Sequence, residues 1–311
     1  MNFEFTEDQA AFVEAVRRIA AHHRTTALTH ERVQYAQALD ADLAQAQLFD
    51  AMAVEELGGV AAAAAVMELS RLPLCCELAA SALVAPWLCA EWPRPYAVLW
   101  ENDRRPVRFL PVARTVLRVQ GQAVQAARLS AGDVVTDNGL FAYPAGRLAR
   151  AEALQWHTLP GDAGRLRAAW QTGVAAELAG ALSAAFDTVL DHVRTRRQFG
   201  RSLGSFQAVQ HRLAECATRV EGLRWLAFKA AGTFDPLDAA LAAATAMDVG
   251  RSVSYDLHQF MGAMGLTLEH PLHRWTYRAR SLCADLGGAD RQYAAAARAA
   301  WGQAHAGAAE P

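Results

Sequence analysis

Cysteine is scarce in this chain of 311 residues, which contains five, all scattered. No two of them form a Cys-x-x-Cys pair, the spacing typical of structural zinc sites and redox-active disulfides. The histidines show no His-Glu-x-x-His or Cys-His spacing either. We therefore expect reduced thiols, no disulfide framework and no metal site. The cysteines are Cys75, Cys76, Cys89, Cys216 and Cys283.

An excess of charge of either sign is also absent, since the formal net charge is −2 at pH 7. This balance gives no reason to expect nucleic acid or an anionic membrane as a partner. The N-terminal residues are acidic where a secretory signal is basic, which predicts a cytoplasmic protein. The most apolar segment, residues 76–92, contains Glu77, Pro86 and Glu91, so we expect a buried helix there and no membrane span.

Several common catalytic and nucleotide-binding motifs are missing. The sequence contains no Gly-x-Ser-x-Gly nucleophile elbow and no P-loop. The glycine pair Gly262 and Gly265 follows a helical run and opens no βαβ unit, which excludes a Rossmann dinucleotide loop. These absences argue against a serine hydrolase, a P-loop nucleotidase and a Rossmann dehydrogenase.

Alanine, by contrast, is abundant, and only 8% of the residues are aromatic, which favours a mainly helical protein. With 53% hydrophobic residues the chain can bury a large core in two or three structural units. We predict a mainly α fold with an N-terminal helical domain (1–93), a short β domain (94–150) and a C-terminal helical bundle (151–311). At the N-terminus, Thr6 and Gln9 form a capping-box pattern ahead of an apolar helical face.

The middle segment changes from helical spacing to short runs of the β type, bounded by Asn, Asp, Gly and Pro. The predicted strands lie at residues 96–100, 107–111, 115–119 and 139–143. After residue 162 apolar residues again recur at helical spacing. The predicted bundle helices lie near residues 165–196, 206–231, 236–261, 271–284 and 289–303.

The segment 194–215 joins two of these helices through a basic and aromatic turn. Its corner carries Arg196 and Arg197, the amide of Gln198 and the ring of Phe199. Arginine makes bidentate contacts with phosphate and phenylalanine offers a stacking surface, so the corner suits a nucleotide pyrophosphate. On composition alone, the alternative is a solvated helix end whose arginines interact with the helix dipole.

Two segments resemble motifs of the acyl-CoA dehydrogenase family. The Arg-x-Gln-Phe-Gly at 196–200, followed by Ser-Phe-Gln-Ala-Val-Gln-His-x-Leu-Ala at 205–214, resembles the helix-turn-helix that helps to hold FAD. Residues 258–271 resemble the family's Gln-x-x-Gly-Gly-x-Gly-Phe-Thr-x-Glu-His segment. The opening Phe-Thr-Glu-Asp-Gln at 5–9 and Glu-Leu-Gly-Gly at 56–59 are similar to the family's N-terminal domain. The order and spacing of these matches imply an acyl-CoA dehydrogenase fold with FAD as cofactor.

The resemblance implies contacts between this chain and the ADP end of an FAD held by a neighbouring subunit. The matching positions are Arg196, Gln198, Phe199, Gln207, Gln259 and Gly262. One departure is Ala263, which stands where the family has its second glycine and narrows the room for close backbone approach. The short β domain also shows no convincing copy of the family's contacts to the flavin ring.

The family's catalytic carboxylate is missing from both of its usual places. One place corresponds to Leu286–Ala289, before the last helix, and the other to Trp170 and Gln171, early in the first bundle helix. Neither holds an acid, so we predict no catalytic residue of the family type in this chain. Glu177 is a weak candidate for a relocated base, and other acids near these places are weaker still: Asp285 and Asp290 beside the first, and Glu269 in the Thr-x-Glu-His segment.

This combination predicts one subunit of an FAD-dependent acyl-CoA dehydrogenase, which removes hydrogen from the α and β carbons of an acyl-CoA. The resemblance implies a larger, Glu-bearing partner in an α2β2 heterotetramer, as in the dehydrogenases of steroid side chains, and electron-transfer flavoprotein as the acceptor. Two alternatives stay open. In the first alternative, the chain is a non-catalytic binding or scaffold protein on a decayed dehydrogenase fold. In the second, it is a homomeric dehydrogenase that uses Glu177 as its base.

Overall fold

The computed structural model of the chain describes residues 4–24, 35–100, 105–137 and 142–302. In this part a helical N-terminal region is followed by small β-sheets and then by a bundle of long helices. The first region contains α1 (Glu7–His23), α2 (Gln37–Gln45), α3 (Gly58–Ser70), α4 (Ala79–Leu83) and α5 (Ala85–Leu88).

The capping box predicted for α1 is confirmed. The Thr6 hydroxyl accepts the backbone N–H of Gln9, and the Gln9 side chain accepts the backbone N–H of Thr6, both at 3.2 Å. Gln9 also donates to the carbonyl oxygen of Leu57 at 3.1 Å, so the same residue anchors the start of α1 to the turn before α3. Two otherwise unpaired amides are satisfied, which stabilises the helix start.

The single buried helix predicted across residues 76–92 was wrong in its continuity. The segment forms two short helices that meet at Val84. Pro86 lacks the N–H that would continue the first helix, and its ring crowds the preceding turn. Glu77, 1% exposed, accepts the N–H groups of Ala80 and Ser81 at 2.9 and 3.2 Å, which caps α4.

Two sheets form the β domain. One has the order β1 (Tyr96–Leu99), β3 (Thr115–Gln120), β4 (Ala123–Arg128) and β7 (His157–Asp162), in which only β1 and β3 are parallel. The other has the antiparallel order β2 (Val107–Arg108), β6 (Ala145–Leu148) and β5 (Val134–Asp137). The predicted strand at 107–111 stops early because the chain turns at Phe109, whose φ is 66°. The predicted strand at 139–143 falls mostly outside the described residues.

The β domain extends past its predicted end at residue 150. Strand β7 pairs with β4 and runs to Asp162, so the bundle begins at Ala163 and not at 151. The pattern of β7 is obscured by Pro160 and Gly161, which are typical of loops. Pro160 is tolerated because β7 is an edge strand, where a missing N–H costs no ladder hydrogen bond.

The bundle is organised around α6 (Ala163–Thr195), which contacts α3, α7, α8 and α9. Its other helices are α7 (Gln207–Thr233), α8 (Pro236–Met261), α9 (Leu272–Leu282) and α10 (Ala289–Trp301), and the small strands β8 (Arg197–Gln198) and β9 (Arg201–Ser202) lie between α6 and α7. Gly180 allows α6 to approach α3 closely, since a Cβ there would overlap the carbonyl oxygen of Met67. The backbones of the two domains therefore touch.

A buried arginine joins the N-terminal region to the bundle. Arg278 on α9 donates to the carbonyl oxygens of Ser70, Leu72 and Leu74 at 2.8–3.0 Å. These carbonyl groups lie at the C-terminal end of α3 and in the turn that follows it, where the helix supplies no further N–H groups to donate to them. A cation at a helix C-terminus also interacts favourably with the helix dipole.

Within the described residues, α6 is the one helix long and apolar enough to cross a membrane. Of its most apolar window, 72% is buried inside the protein. Burial against α3, α4, α7, α8 and α9 accounts for this hydropathy, and α6 is a core helix.

All five cysteines are free thiols. Burial raises the pKa of Cys75 and of Cys89 to about 12, so neither forms a thiolate readily near neutral pH. Among the residues that the structure describes, no three His, Cys, Asp or Glu side chains come together as a metal site.

Candidate functional site

The predicted corner is a tight hairpin between α6 and α7. Strands β8 and β9 pair through Arg197 with Ser202 and Gln198 with Arg201, which leaves Phe199 and Gly200 as the two-residue loop. The N–H of Leu203 donates to the carbonyl oxygen of Arg196 at 2.8 Å and closes the base of the hairpin. The backbone of the hairpin is thus held by local pairing, which fixes the positions from which its side chains project.

Phe199 occupies a position that an aromatic residue adopts at a cost. Its φ is 53° and that of Gly200 is 80°, the pair of positive values that a type I′ turn requires. Glycine accepts this conformation freely, whereas a bulky L residue is strained there. Phe199 is nevertheless 90% exposed, and its ring lies 6.3 Å from that of Phe206 in an edge-on arrangement. A strained and exposed aromatic side chain gains little from its own fold, which is typical of a binding residue.

The basic residues of the hairpin differ in how they are engaged. Arg197 donates to the carbonyl oxygen of Gly200 at 3.1 Å and so braces the turn. The guanidinium of Arg201 stacks on Phe206 at 4.0 Å from the ring centre. Arg196, which caps the end of α6, is exposed, as are Gln198 and Gln207 at the start of α7.

The second matching segment lies at the same end of the bundle. Gln259 is exposed in the last turn of α8, and Gly262 ends that helix with a φ of 63°. Burial lowers the pKa of His192 near the end of α6, and the charge of Arg196 lowers it further. Burial also lowers the pKa of His270, again with a contribution from His192. Such effects fade with distance, so these residues place both motif segments around the end of α6.

A separate cavity of about 420 Å³ lies between the β domain and the bundle. Trp170 of α6 and Asp285, in the turn before α10, form part of its wall. These residues stand at or beside the two places where the family resemblance puts the catalytic base. Neither the hairpin residues nor Glu177 line this cavity.

A cluster of buried charged side chains lies beside this cavity, where the β domain meets the bundle. Arg108 of β2 donates to both oxygens of Glu177 on α6, at 2.7 and 2.9 Å, and Tyr143 donates to one of them at 3.1 Å. The Nε of Arg108 lies 3.6 Å from Asp285, which also accepts from the indole N–H of Trp170 at 3.2 Å. The guanidinium of Arg108 further lies 4.6 Å from the ring centre of Trp170.

Burial and neighbouring charges act in opposite directions in this cluster. Burial disfavours the charged form of Arg108, but the charges of Glu177 and Asp285 outweigh it and raise the pKa of that guanidinium. Burial raises the pKa of Asp285, although the charge of Arg108 opposes the shift. Burial likewise raises the pKa of the Tyr143 hydroxyl well above its ordinary value.

Glu177 is therefore surrounded by donors. Both of its oxygens accept from Arg108, and its side chain is 6% exposed. A general base needs a free lone pair within reach of the substrate proton. The sequence pattern did not single out Arg108, although an arginine between Val107 and Phe109 in an apolar strand is a signal that a buried charge needs a partner.

Comparison with known proteins identifies the C-terminal part of the chain. Residues 171–301 match the family described as acyl-CoA dehydrogenase, C-terminal domain. Among curated relatives, acyl-CoA dehydrogenase FadE34 of Mycobacterium tuberculosis is 36% identical over 127 residues, which cover 39% of this chain and 18% of that protein. Acyl-CoA dehydrogenase IpdE2 of the same organism is 32% identical over 167 residues, 53% of this chain and 50% of that protein. The chain thus spans half or less of the length of these relatives.

Solved structures define the fold of the whole chain as that of acyl-CoA dehydrogenases. The Tcur3481-Tcur3483 steroid dehydrogenase (G363A variant) matches with a TM-score of 0.79 and 22% identity, covering 97% of this chain and 100% of the matched one. The ChsE4-ChsE5 complex of Mycobacterium tuberculosis matches with a TM-score of 0.74 and 20% identity, over 100% of both chains. The mainly α fold with a small sheet domain between helical regions, expected from the sequence, is confirmed.

Another matched structure is the FAD complex of PigA, with a TM-score of 0.64 and 16% identity, covering 96% of this chain and 98% of the matched one. The hairpin fits the ADP end of FAD, because it combines arginine donors, side-chain amides and an exposed aromatic ring in one turn. Arg196, Gln198, Phe199, Gln207, Gln259 and Gly262 are the residues that would hold it, and all six are exposed at one end of the bundle.

Proposed function

We propose that this chain is the base-lacking subunit of an FAD-dependent acyl-CoA dehydrogenase. In this proposal the hairpin completes an FAD site that belongs to a larger partner, in an α2β2 assembly. The observation that carries the proposal is that Arg196, Gln198 and Phe199 are exposed on a tight hairpin, away from the cavity between the β domain and the bundle. The strained backbone at the exposed Phe199 supports a role in contact with another molecule.

The roles of the chain's own residues follow from their chemistry. Bound FAD supplies the acceptor for the hydride that leaves the β carbon of an acyl-CoA. Arg196 offers charge-assisted hydrogen bonds to a pyrophosphate, and Phe199 offers a flat surface to an adenine. Arg197 keeps the turn in shape through its bond to Gly200. The start of α7 adds a positive helix end beside the same turn.

The proposal assigns the proton-accepting carboxylate to the partner. Gly287 and Trp170 stand where the family resemblance puts an acid, and the Glu177 carboxylate already accepts from Arg108 and Tyr143. The partner would also contribute the acyl-CoA site, and electron-transfer flavoprotein would accept the electrons. We further propose that the complex works in the cytoplasm. Support for pairing of unlike subunits comes from the matched ChsE4-ChsE5 complex.

The exposed apolar side chains of the bundle suggest where the partner lies. Tyr255 on α8 is 72% exposed, one turn before Gln259 on the same face. Leu266, just after α8, is 78% exposed. The outer face of α7 carries mainly polar and small residues. We therefore place the partner contact on α8 and the turn that follows it.

Co-expression of this chain with a neighbouring gene for a Glu-bearing dehydrogenase, followed by native mass spectrometry, tests the assembly. We expect a 2:2 complex with two FAD, and negligible acyl-CoA oxidation by this chain alone in a dye-coupled assay. A stable homotetramer with four FAD and full turnover would contradict the proposal and favour a relocated base, which Glu177→Gln and Asp285→Asn would locate. Absence of flavin in every assembly would favour the scaffold alternative.

A further inference from the structure

The cavity between the β domain and the bundle contains donor groups that the protein itself does not satisfy. The indole N–H of Trp100 and the Nη2 of Arg108 are buried and have no hydrogen-bond partner among the described residues. Both side chains line the cavity. An unpaired buried donor costs about 1–3 kcal/mol, so two at one cavity call for an acceptor.

The chemistry of the missing group follows from the kind of atom that is unpaired. An indole N–H and a guanidinium N–H only donate, so the partner has to bring acceptor oxygens. The Nε of Arg108 contacts Asp285 at 3.6 Å, too long for a hydrogen bond, and Nη1 is used by Glu177. Among the described residues, Nε and Nη2 of Arg108 and the indole N–H of Trp100 are therefore the buried donors at this cavity that have no acceptor.

The rest of the wall favours an anion with a compact apolar body. Arg280 is exposed at the rim, and the carboxylate of Asp137 at the wall is already paired with Arg147 at 2.7 Å. Apolar and aromatic side chains form most of the remaining lining. A cavity of about 420 Å³ accommodates a small molecule and excludes a folded partner. The residues that complete the wall are Val98, Arg105, Pro106, Val107, Ala142, Tyr143, Ala145, Trp170, Ser281, Ala284 and Asp285.

We propose that this cavity binds a small carboxylic acid, whose carboxylate accepts from Trp100 and Arg108 while its ring or chain packs against Trp170 and Val107. This site lies apart from the hairpin that we assign to FAD. We assign it to a free acid because its unpaired groups are donors. Occupancy would join β2 to α6 and α9, and so tighten the contact between the β domain and the bundle.

Titration of the purified full-length chain with cyclohexanecarboxylate tests the proposal without FAD or a partner, so its failure is distinguishable from failure of the proposed function. Isothermal calorimetry should show saturable 1:1 binding, about tenfold weaker for cyclohexanecarboxamide, which lacks the charge. Trp100→Phe should weaken carboxylate binding roughly fivefold, the value of one hydrogen bond. Trp156→Phe is the matched control, since that indole lies in the same domain, donates to Ala151 and does not line the cavity.

Three results would overturn the site: no saturable binding of the carboxylate, equal affinity for acid and amide, or equal weakening by both tryptophan variants. Arg280→Ala gives a further check, because Arg280 is exposed at the rim and its truncation should leave the packing of the core unchanged. It should weaken the carboxylate more than the amide, and an equal effect on the two probes would show that charge plays no part.

Discussion

Arg108 of β2 and Glu177 of α6 form a buried ion pair that joins the β domain to the bundle, and the Nη1 of Arg108 contacts both carboxylate oxygens. Their contacts measure 2.7 and 2.9 Å, and their side chains are 10% and 6% exposed. Removal of one partner from such a pair leaves the other charge buried without compensation. The pair therefore bears on the stability of the domain contact and on the availability of Glu177 for chemistry.

The first prediction concerns this pair. Glu177→Gln should lower the free energy of unfolding by about 3–5 kcal/mol, because the charge of Arg108 stays buried. Urea denaturation followed by tryptophan fluorescence measures the loss. Asp137→Asn is the control, since its pair with Arg147 is 29% and 53% exposed and should cost less than about 1 kcal/mol. Equal losses of unfolding free energy in the two variants would show that the buried pair contributes no more to stability than the exposed pair does.

The second prediction concerns pH. Burial raises the pKa of Asp285 in the folded state, so the folded protein holds this proton more tightly than the unfolded chain. Stability should therefore fall as the pH rises from the unfolded to the folded pKa of Asp285, and should not change further above it. Asp285→Asn should remove this part of the pH profile. Unfolding free energies of both proteins between acidic and neutral pH measure the difference, and parallel profiles would contradict the assignment.

The third prediction separates the two neighbouring arginines of the hairpin. Arg196→Ala in the assembled complex should cost about 1.5–3 kcal/mol of FAD affinity, the range for a hydrogen bond to a charged group. Arg197→Ala should cost less, because that side chain is engaged with Gly200. Flavin retained after gel filtration, together with titration of the apo complex, compares them. The same loss in both variants would mean that the turn's shape, and not Arg196 itself, matters.

The fourth prediction uses the strain at Phe199. Phe199→Gly should leave the isolated chain at least as stable, because glycine accepts a φ of 53° without strain. The same change should reduce FAD retention in the complex, because the exposed ring is lost. Thermal unfolding of the chain and flavin content of the complex give the two readouts. Phe199→Asn provides the control, since Asn tolerates this backbone conformation but offers no stacking surface.

A clear loss of stability in the isolated Phe199→Gly chain would contradict the fourth prediction. It would mean that the edge-on contact between Phe199 and Phe206 holds the hairpin. Unchanged flavin content in the complex would remove Phe199 from the cofactor site.

The sequence alone was sufficient to predict those features that depend on neighbours along the chain. The capping box of Thr6 and Gln9, the start of α8 at Pro236 and the turn after α6 were all predicted, because caps, proline positions and apolar spacing act over a few residues. The family resemblance rested on similarly local motifs, and the fold that it implied is confirmed.

Features that depend on contacts between distant parts of the chain were decided only by the tertiary structure. Strand β7 looks like a loop until its pairing with β4 makes it the edge of a sheet. Arg108 and Glu177 are 69 residues apart, and Trp170 and Asp285 are 115 apart, so no local pattern shows that they share one buried cluster. The cost of burying a charge makes such partners obligatory, but their identity depends on how the sheet and α6 pack together. For that reason the hairpin could be predicted as a site from the sequence, whereas the cavity beside Arg108 could not.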